Sequence, residues 1–257
     1  MYHINLDHQI LTDHGVFYPH ALYNDLVFEL TLAPANLVVR GSDTTKLKYK
    51  LKNIQLEYEM IQSEKFAKEA AEVYTSGKEF AYDHVLRDKV ETFDKAKDTR
   101  INIKVNAQRR SMKGILVLFV ELYAAGTRDS GKYIFPDLKK ISVTINSSPN
   151  MLYNNSIESR DIWSEVSRFF MKENYKHQHM NLQKFYTKNK FGLLIDLRSM
   201  ESQKMHGSGT RIVNSTDGVQ LEIERDGKGS GQVNCHVYII SDSQFNILNK
   251  QLESVQY

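Results

Sequence analysis

The chain reads as an all-β protein: two antiparallel sheets packed face to face, or a closed barrel, with short helices inserted. Three observations predict this. Apolar and polar residues alternate with a period of two along Asp25–Leu32, Ile54–Met60, Arg100–Val105 and Lys140–Ile145, a pattern that buries one face of a pleated strand and wets the other. Such segments recur from end to end without regular helical interleaving, which points to antiparallel pairing rather than βαβ units. Between them stand turn-forming clusters such as Asp13-His14-Gly15, Gly41-Ser42-Asp43 and Gly227–Gly231.

Taken in order, His3–Leu11 is a first extended segment, and a turn through Pro19 leads into the strand Asp25–Leu32, which Pro34 stops because proline gives no donor to a ladder. Leu37–Arg40 is a short strand, and Leu47–Ile61 reads as one long strand or two. Helical spacing appears at Ser63–Gly77, where Phe66, Ala67, Ala70, Ala71 and Tyr74 share a face between a capping serine and a terminating glycine. Strands follow at Glu79–Phe93 and Arg100–Asn106. Met112–Leu122 has the apolar centre Ile115–Val120, as expected of a strand covered on both sides. Leu138–Asn146 is another strand. A helix over Ser159–Asn174 carries Ile162, Trp163, Val166, Phe169 and Phe170 on one stripe, and a second is expected at Asn181–Asn189. Phe191–Leu197, Val219–Arg225 and Val233–Ser241 complete the strands; the tail Phe245–Tyr257 fits helix or strand. With no linker and no internal repeat, residues 1–257 read as a single domain with helices inserted near 63–77 and 159–189.

Composition sets the class of protein. The 41% hydrophobic content and 257-residue length suffice for a core without staples. The 34 cationic side chains nearly cancel the 31 anionic ones, so charge alone makes no case for nucleic acid and leaves direct binding to it open. Cys235 is the single cysteine, which excludes an intrachain disulfide and fits a reducing compartment; its strand setting reads as packing, not reactivity. No apolar run approaches the ~20 residues that span a bilayer, and the N-terminus lacks a signal-peptide core. The expectation is a soluble protein, intracellular or particle-borne, that is not secreted by a signal peptide.

Catalytic patterns are weak. Gly227-Lys228-Gly229-Ser230-Gly231 lacks the spacing and the strand-to-helix context of a phosphate loop and reads as a β-hairpin turn. His206–Thr210 lacks the Gly-x-Ser-x-Gly frame of a nucleophile elbow and is a loop. His177 and His179 lie in a polar connection with no cysteine to complete a metal site. The pairs Glu57/Glu59 and Glu222/Glu224 occupy alternate positions on outward strand faces, where carboxylates solubilise. Lys46, Lys48, Lys50 and Lys52 suit a protected edge strand, or contacts to phosphate or an acidic neighbour; Arg109, Arg110 and Lys113 make a second basic cluster. No catalytic, cofactor or metal residue is assigned.

Three stretches together resemble a known family: Tyr23–Pro34, Gln108–Leu116, and Phe135–Leu138 running into Ile145–Tyr153. They are similar to the hexon-like major capsid proteins of Polinton (Maverick) elements and the related adintoviruses. The resemblance implies an antiparallel jelly-roll sandwich with inserted short helices, standing in a capsid shell as a structural protein without cofactor. It implies homotrimeric capsomers, other capsid proteins as partners, and location in the virion. Members carry two jelly rolls in one polypeptide, whereas this chain has strands for about one. It therefore corresponds to the C-terminal half of a longer product, a degraded genomic copy or a host-retained version.

On that reading Arg109, Arg110 and Arg160 are candidate intersubunit cations, since arginine pairs bidentately with carboxylates. Tyr123, Tyr133 and Phe135 are candidate interface aromatics in a loop between core strands. Trp163, Phe169 and Phe170 are expected to anchor a helix on the sheet. The alternative is a jelly-roll binding module of lectin or tumour-necrosis-factor type. A third reading, a cupin-type metalloenzyme, needs His84 and His236 to face each other inside the sheets near Glu79 or Asp83.

Overall fold

The computed structural model describes residues 17–33, 35, 48–57, 62–122, 132–150, 159–170, 182–198, 206–212 and 218–256. The expected segments His3–Leu11 and Leu37–Arg40, with His177, His179 and Tyr123, lie outside the described residues, as do the side chains of Arg160 and Phe170. The chain divides into two compact units: Met1–Asp83 with Ser243–Tyr257, and His84–Asp242.

In the His84–Asp242 unit the strands are β1 (Lys78–Asp94, from His84 on), β2 (Arg100–Val105), β3 (Arg109–Glu121), β4 (Leu138–Ile145), β5 (Ser148–Pro149), β6 (Leu193–Asp196), β7 (Thr210–Ile212), β8 (Val219–Arg225) and β9 (Gln232–Leu248, up to Asp242). One sheet runs β1-β9-β3-β6, with β7 also on β3; the other runs β2-β8-β4-β5. Leaving out the short β7, the first strand neighbours the last, the second the last but one, the third the sixth, and the fourth the fifth. That is a two-stranded ribbon wrapped around a core. The sandwich is a jelly roll.

Period-two patterning produces this core because registered neighbours aim the same class of side chain inward. Across the first sheet Ile115, Val117 and Phe119 on β3 stand opposite Ile239, Val237 and Cys235 on β9, and all six are fully buried. Ile115 and Val117 also face Ile195 and Leu193 on β6. In the second sheet Ile101 and Ile103 of β2 and Ile141 and Val143 of β4 flank Ile223 and Leu221 of β8. Each such side chain contributes roughly 1.5–3 kcal/mol on leaving water. Glu222 and Glu224 alternate with these buried positions on the outer face. The β4–β5 hairpin turns on Asn146 and Ser147, at φ 47° and 64°, the left-handed pair that a two-residue loop requires.

Two helices follow β5. The helix Ser159–Phe170 (α2) and the helix Leu182–Thr187 (α3) meet through Trp163 and Phe185, whose rings lie 5.1 Å apart. Phe185 reaches Phe191 at 5.1 Å, extending the apolar interior under both helices.

The other unit contains a helix over Glu64–Ser76 (α1), capped as expected. Ser63 Oγ accepts from the Phe66 amide, and Gly77 closes the helix at φ 115°, a conformation that suits glycine. Tyr74, Phe80, Ile247, Ala70 and Ala21 form its core, and Phe80 stacks on Phe245 at 5.0 Å. The ambiguous tail is strand: β10 (Gln251–Gln256) pairs antiparallel with the Gln244–Leu248 part of β9 through a turn at Asn249-Lys250.

Two expectations fail. Residues 25–33 and 48–57 form no strand. Leu26, Val27, Phe28, Leu30, Leu51, Ile54 and Leu56 are exposed, on both parities of the alternation. Alternation specifies two faces, but a strand also needs a ladder partner, and Asn53 at φ 53° interrupts the second segment. Gly227–Gly231 is not a hairpin turn: β8 and β9 belong to different sheets, so the glycine loop carries the chain across the sandwich.

Candidate functional site

Three polar clamps hold the loops and helices of the jelly roll: two rest on charged residues at strand ends, Arg225 and Asp196, and the third on Asp242 within β9. The first is Arg225, the last residue of β8. Its position continues the inward series Leu221, Ile223, Arg225, and it is 2% exposed. The guanidinium donates to three backbone carbonyls: Nε to Pro136 at 3.0 Å, and Nη1 to Lys95 at 2.8 Å and to Asp98 at 2.7 Å. It lies 5.1 Å from the centre of the Phe93 ring. Burial pulls its pKa down, while Asp137, Asp98, Asp226 and Asp94 oppose that shift. The planar fork suits this job because it satisfies several carbonyls from one buried point. One residue thus ties the β1–β2 turn and the segment entering β4 to β8.

The second clamp seats α2. Gly114 on β3 leaves room for a ring: a Cβ there would lie 3.0 Å from Phe169 Cε2 and 3.0 Å from the Ile195 carbonyl. The Arg198 guanidinium covers that ring at 4.1 Å. Arg198 also pairs bidentately with the buried Asp196, Nε to Oδ1 at 3.0 Å and Nη2 to Oδ2 at 2.8 Å. Arg168 on α2 approaches Asp196 Oδ2 at 3.5 Å and binds Glu165 at 2.8 Å.

The third clamp centres on Asp242, 5% exposed on β9. Its Oδ2 accepts from Ser111 Oγ at 2.5 Å and from the Gly207 amide at 3.0 Å. Lys113 Nζ and His206 Nδ1 stand at 3.4 Å and 3.2 Å from Oδ1. Ser111 Oγ accepts in turn from the Gly209 amide at 2.8 Å. Serine, histidine and aspartate therefore meet, but the carboxylate sits between the other two. A nucleophilic serine needs the imidazole as its own proton acceptor. Chemically this is a loop clamp. Gly209 is obligatory in it, since a Cβ would fall 2.5 Å from the Met112 carbonyl carbon.

The residues singled out from the sequence fall as follows. Trp163 is half-buried against Phe185, and Phe169 takes the Gly114 seat. Phe135 spends its ring on Tyr186 and Phe191, at 5.3 Å and 5.0 Å. Tyr133 is held by its backbone, its amide donating to Asn189 and its carbonyl accepting from Phe191. Arg110 is exposed on β3, and the neighbouring Arg109 is half-buried with Nη1 on the Gln108 carbonyl at 2.7 Å. His236 lies 3.1 Å from Arg87 Nη2, on the sheet face opposite its inward neighbours Cys235 and Val237, so the facing histidine pair of the cupin reading does not form inside the sheets. Among the described residues no group of three or more His, Cys, Asp or Glu side chains is placed to hold a metal ion.

Sequence reasoning missed Arg225 and Asp242. Arg225 was visible as a charge at an inward position of an alternating strand. Asp242 had no local signal, because its partners come from distant stretches at 111–113 and 206–209.

The unit of residues 1–83 and 243–257 presents a different surface. Besides the aliphatic side chains of 25–33 and 48–57, it exposes Tyr23, Phe66, Val73, Leu252 and Val255. Tyr49 donates its hydroxyl to the Ala33 carbonyl, which ties the start of the second extended segment to the end of the first.

No family model matches the chain, and no curated protein matches it. Among solved structures it is similar to PBCV-1 VP54, fitted into a reconstruction of the virophage Sputnik. The identity is 9%, over 76% of this chain and 54% of that one, with a TM-score of 0.46. It is similar to the mavirus major capsid protein at 7% identity, over 71% of this chain and 42% of that one, with a TM-score of 0.42. The Sputnik virophage structure matches at 10% identity, over 69% and 37%, with a TM-score of 0.38. The chain spans about half the length of the VP54 chain it matches. Among the described residues no helix is long and apolar enough to cross a membrane.

Proposed function

We propose that this chain is a structural capsid protein of the major capsid type, acting through self-assembly rather than catalysis. The observation that carries the reading is the wrapped strand order of the His84–Asp242 unit. Jelly rolls serve capsids, lectins and cupins alike, so the fold narrows the function without choosing it. Two further features favour assembly. The buried charged residues Arg225, Asp196 and Asp242 are consumed in holding loops and helices, which suits a subunit that must present one rigid shape to its neighbours. Residues 25–33 and 48–57 also leave eight large apolar side chains in solvent, a kind of surface that suits contact with a partner. The resemblance of Tyr23–Pro34, Gln108–Leu116, and Phe135–Leu138 with Ile145–Tyr153 to Polinton and adintovirus capsid proteins supports the same reading and is the ground for proposing that lineage.

On this proposal copies associate as homotrimeric capsomers that tile an icosahedral shell together with other capsid proteins, and the protein resides in the virion. Arg109, Arg110 and Arg160, with Tyr123, Tyr133 and Phe135, are the proposed intersubunit residues. Electron microscopy and light scattering of the expressed protein across salt concentration test this. Trimers or shells are expected. A monomer at every concentration and salt overturns it, and a monomer that captures glycans on an array supports the lectin-like alternative.

A further inference from the structure

Residues 25–33 and 48–57 carry strand-type alternation yet form no strand within this chain. The Tyr49 hydroxyl joins the start of the second to the end of the first at the Ala33 carbonyl. Leu26, Val27, Phe28, Leu30, Leu32, Leu51, Ile54 and Leu56 are 43–79% exposed. Summed over both faces of the two segments, these residues leave on the order of 900 Å² in water, the scale of the about 800 Å² per partner that a standard interface takes. Charge is divided across the surface. The first segment bears Asp25 and Glu29, and the second bears Lys48, Lys50 and Lys52 against the single carboxylate of Glu57 at its far end.

We propose that this surface is a strand-exchange interface whose occupant is a second copy of this chain. A two-fold arrangement brings one copy's acidic segment against its partner's lysine-bearing segment, so the surface is complementary to itself. The unpaired backbone of each segment then gains a ladder from the other copy, as in β-strand addition. A lipid occupant would favour cationic over mixed charge, and Asp25 and Glu29 stand against it. The inference rests on the self-assembly reading and adds the surface through which one contact is made.

Sedimentation of the wild-type chain across a wide concentration series, compared with Phe28→Asp/Ile54→Asp, tests it. Both side chains are exposed, so the far-ultraviolet circular dichroism should stay native while the dissociation constant rises roughly a hundredfold. The charge test is sharper. Glu29→Lys alone and Lys48→Glu/Lys50→Glu/Lys52→Glu alone should each weaken association, and an equimolar mixture of the two should restore it. Association that survives every variant overturns this interface while leaving self-assembly standing. A wild type that is monomeric throughout overturns both. Flotation of the monomer with anionic vesicles identifies lipid as the occupant and overturns the proposal.

Discussion

Replacing Arg225 by methionine keeps the length of the side chain and removes its donors. Three backbone carbonyls, of Pro136, Lys95 and Asp98, then lose charge-assisted hydrogen bonds of 2.7–3.0 Å. Bonds to charged groups are worth about 1.5–3 kcal/mol each, and a buried acceptor left unsatisfied costs about 1–3 kcal/mol. Water can reach the turn at 95–98, whose residues are largely exposed, so the three losses do not add in full. Methionine regains some apolar burial against Phe93. The expected net loss is about 3–5 kcal/mol, or roughly 6–20 °C in Tm for a domain of this size. Arg225→Lys should fall between, because one ammonium cannot serve three divergent carbonyls as a planar fork does. Trp163, the single tryptophan, reports urea unfolding of this unit directly. An Arg225→Met variant within 1 kcal/mol of wild type refutes the assignment of Arg225 as the tie between these segments, on the scale of ordinary surface substitutions.

Further outcomes follow from the other clamps. Gly209→Ala forces the 206–209 loop off Met112 and breaks its bonds to Ser111 and Asp242, with an expected loss of about 2–4 kcal/mol and faster amide exchange at Gly207 and Gly209. Phe169→Ala empties the seat over Gly114 and should cost about 2–4 kcal/mol, with α2 becoming sensitive to protease before the sheets unfold. Burial pushes the Cys235 thiol up to about 12 from its ordinary 9.0. The folded state keeps its proton where the unfolded chain loses it, so stability is full below pH 9 and falls as pH rises toward 12. The slope should exceed that of Cys235→Ala by about 1.4 kcal/mol per pH unit, and equal slopes would contradict the burial. Thiol reagents should label Cys235 only on unfolding. Burial, with Arg109 nearby, holds His84 below its ordinary 6.5, so its contribution weakens as pH drops beneath that value.

Much of the sandwich was legible because period-two alternation is enforced wherever a strand has one dry face. Arg100–Val105, Leu138–Ile145 and Val219–Arg225 match their expected spans to within a residue. The caps at Ser63 and Gly77 were equally plain, since both depend on local chemistry. Asp25–Leu32 shows the limit: its alternation is as clean as any, but pairing is a property of two segments, and one segment does not reveal whether its mate is present. The glycine loop after Asp226 shows another. Its composition announces a change of direction, while the sheet to which the chain returns is decided by packing far away. The clamps were hidden for the same reason, since Asp242 draws Ser111 and Gly207 from remote parts of the chain. Arg225 alone carried a local clue, a cation in an inward series.

The placement of β9 between β1 and β3 has a consequence for biosynthesis. While the ribosome is still making residues before Gln232, the early strands have emerged without the one that separates and joins them. Closure of this sandwich waits for Gln232 and the residues after it, more than a hundred residues beyond β3, so contact order is high and maturation slow. Until then the apolar stripes of β1 and β3 are open to neighbouring nascent chains. A product truncated ahead of β9 should accumulate as aggregate rather than as a smaller folded domain.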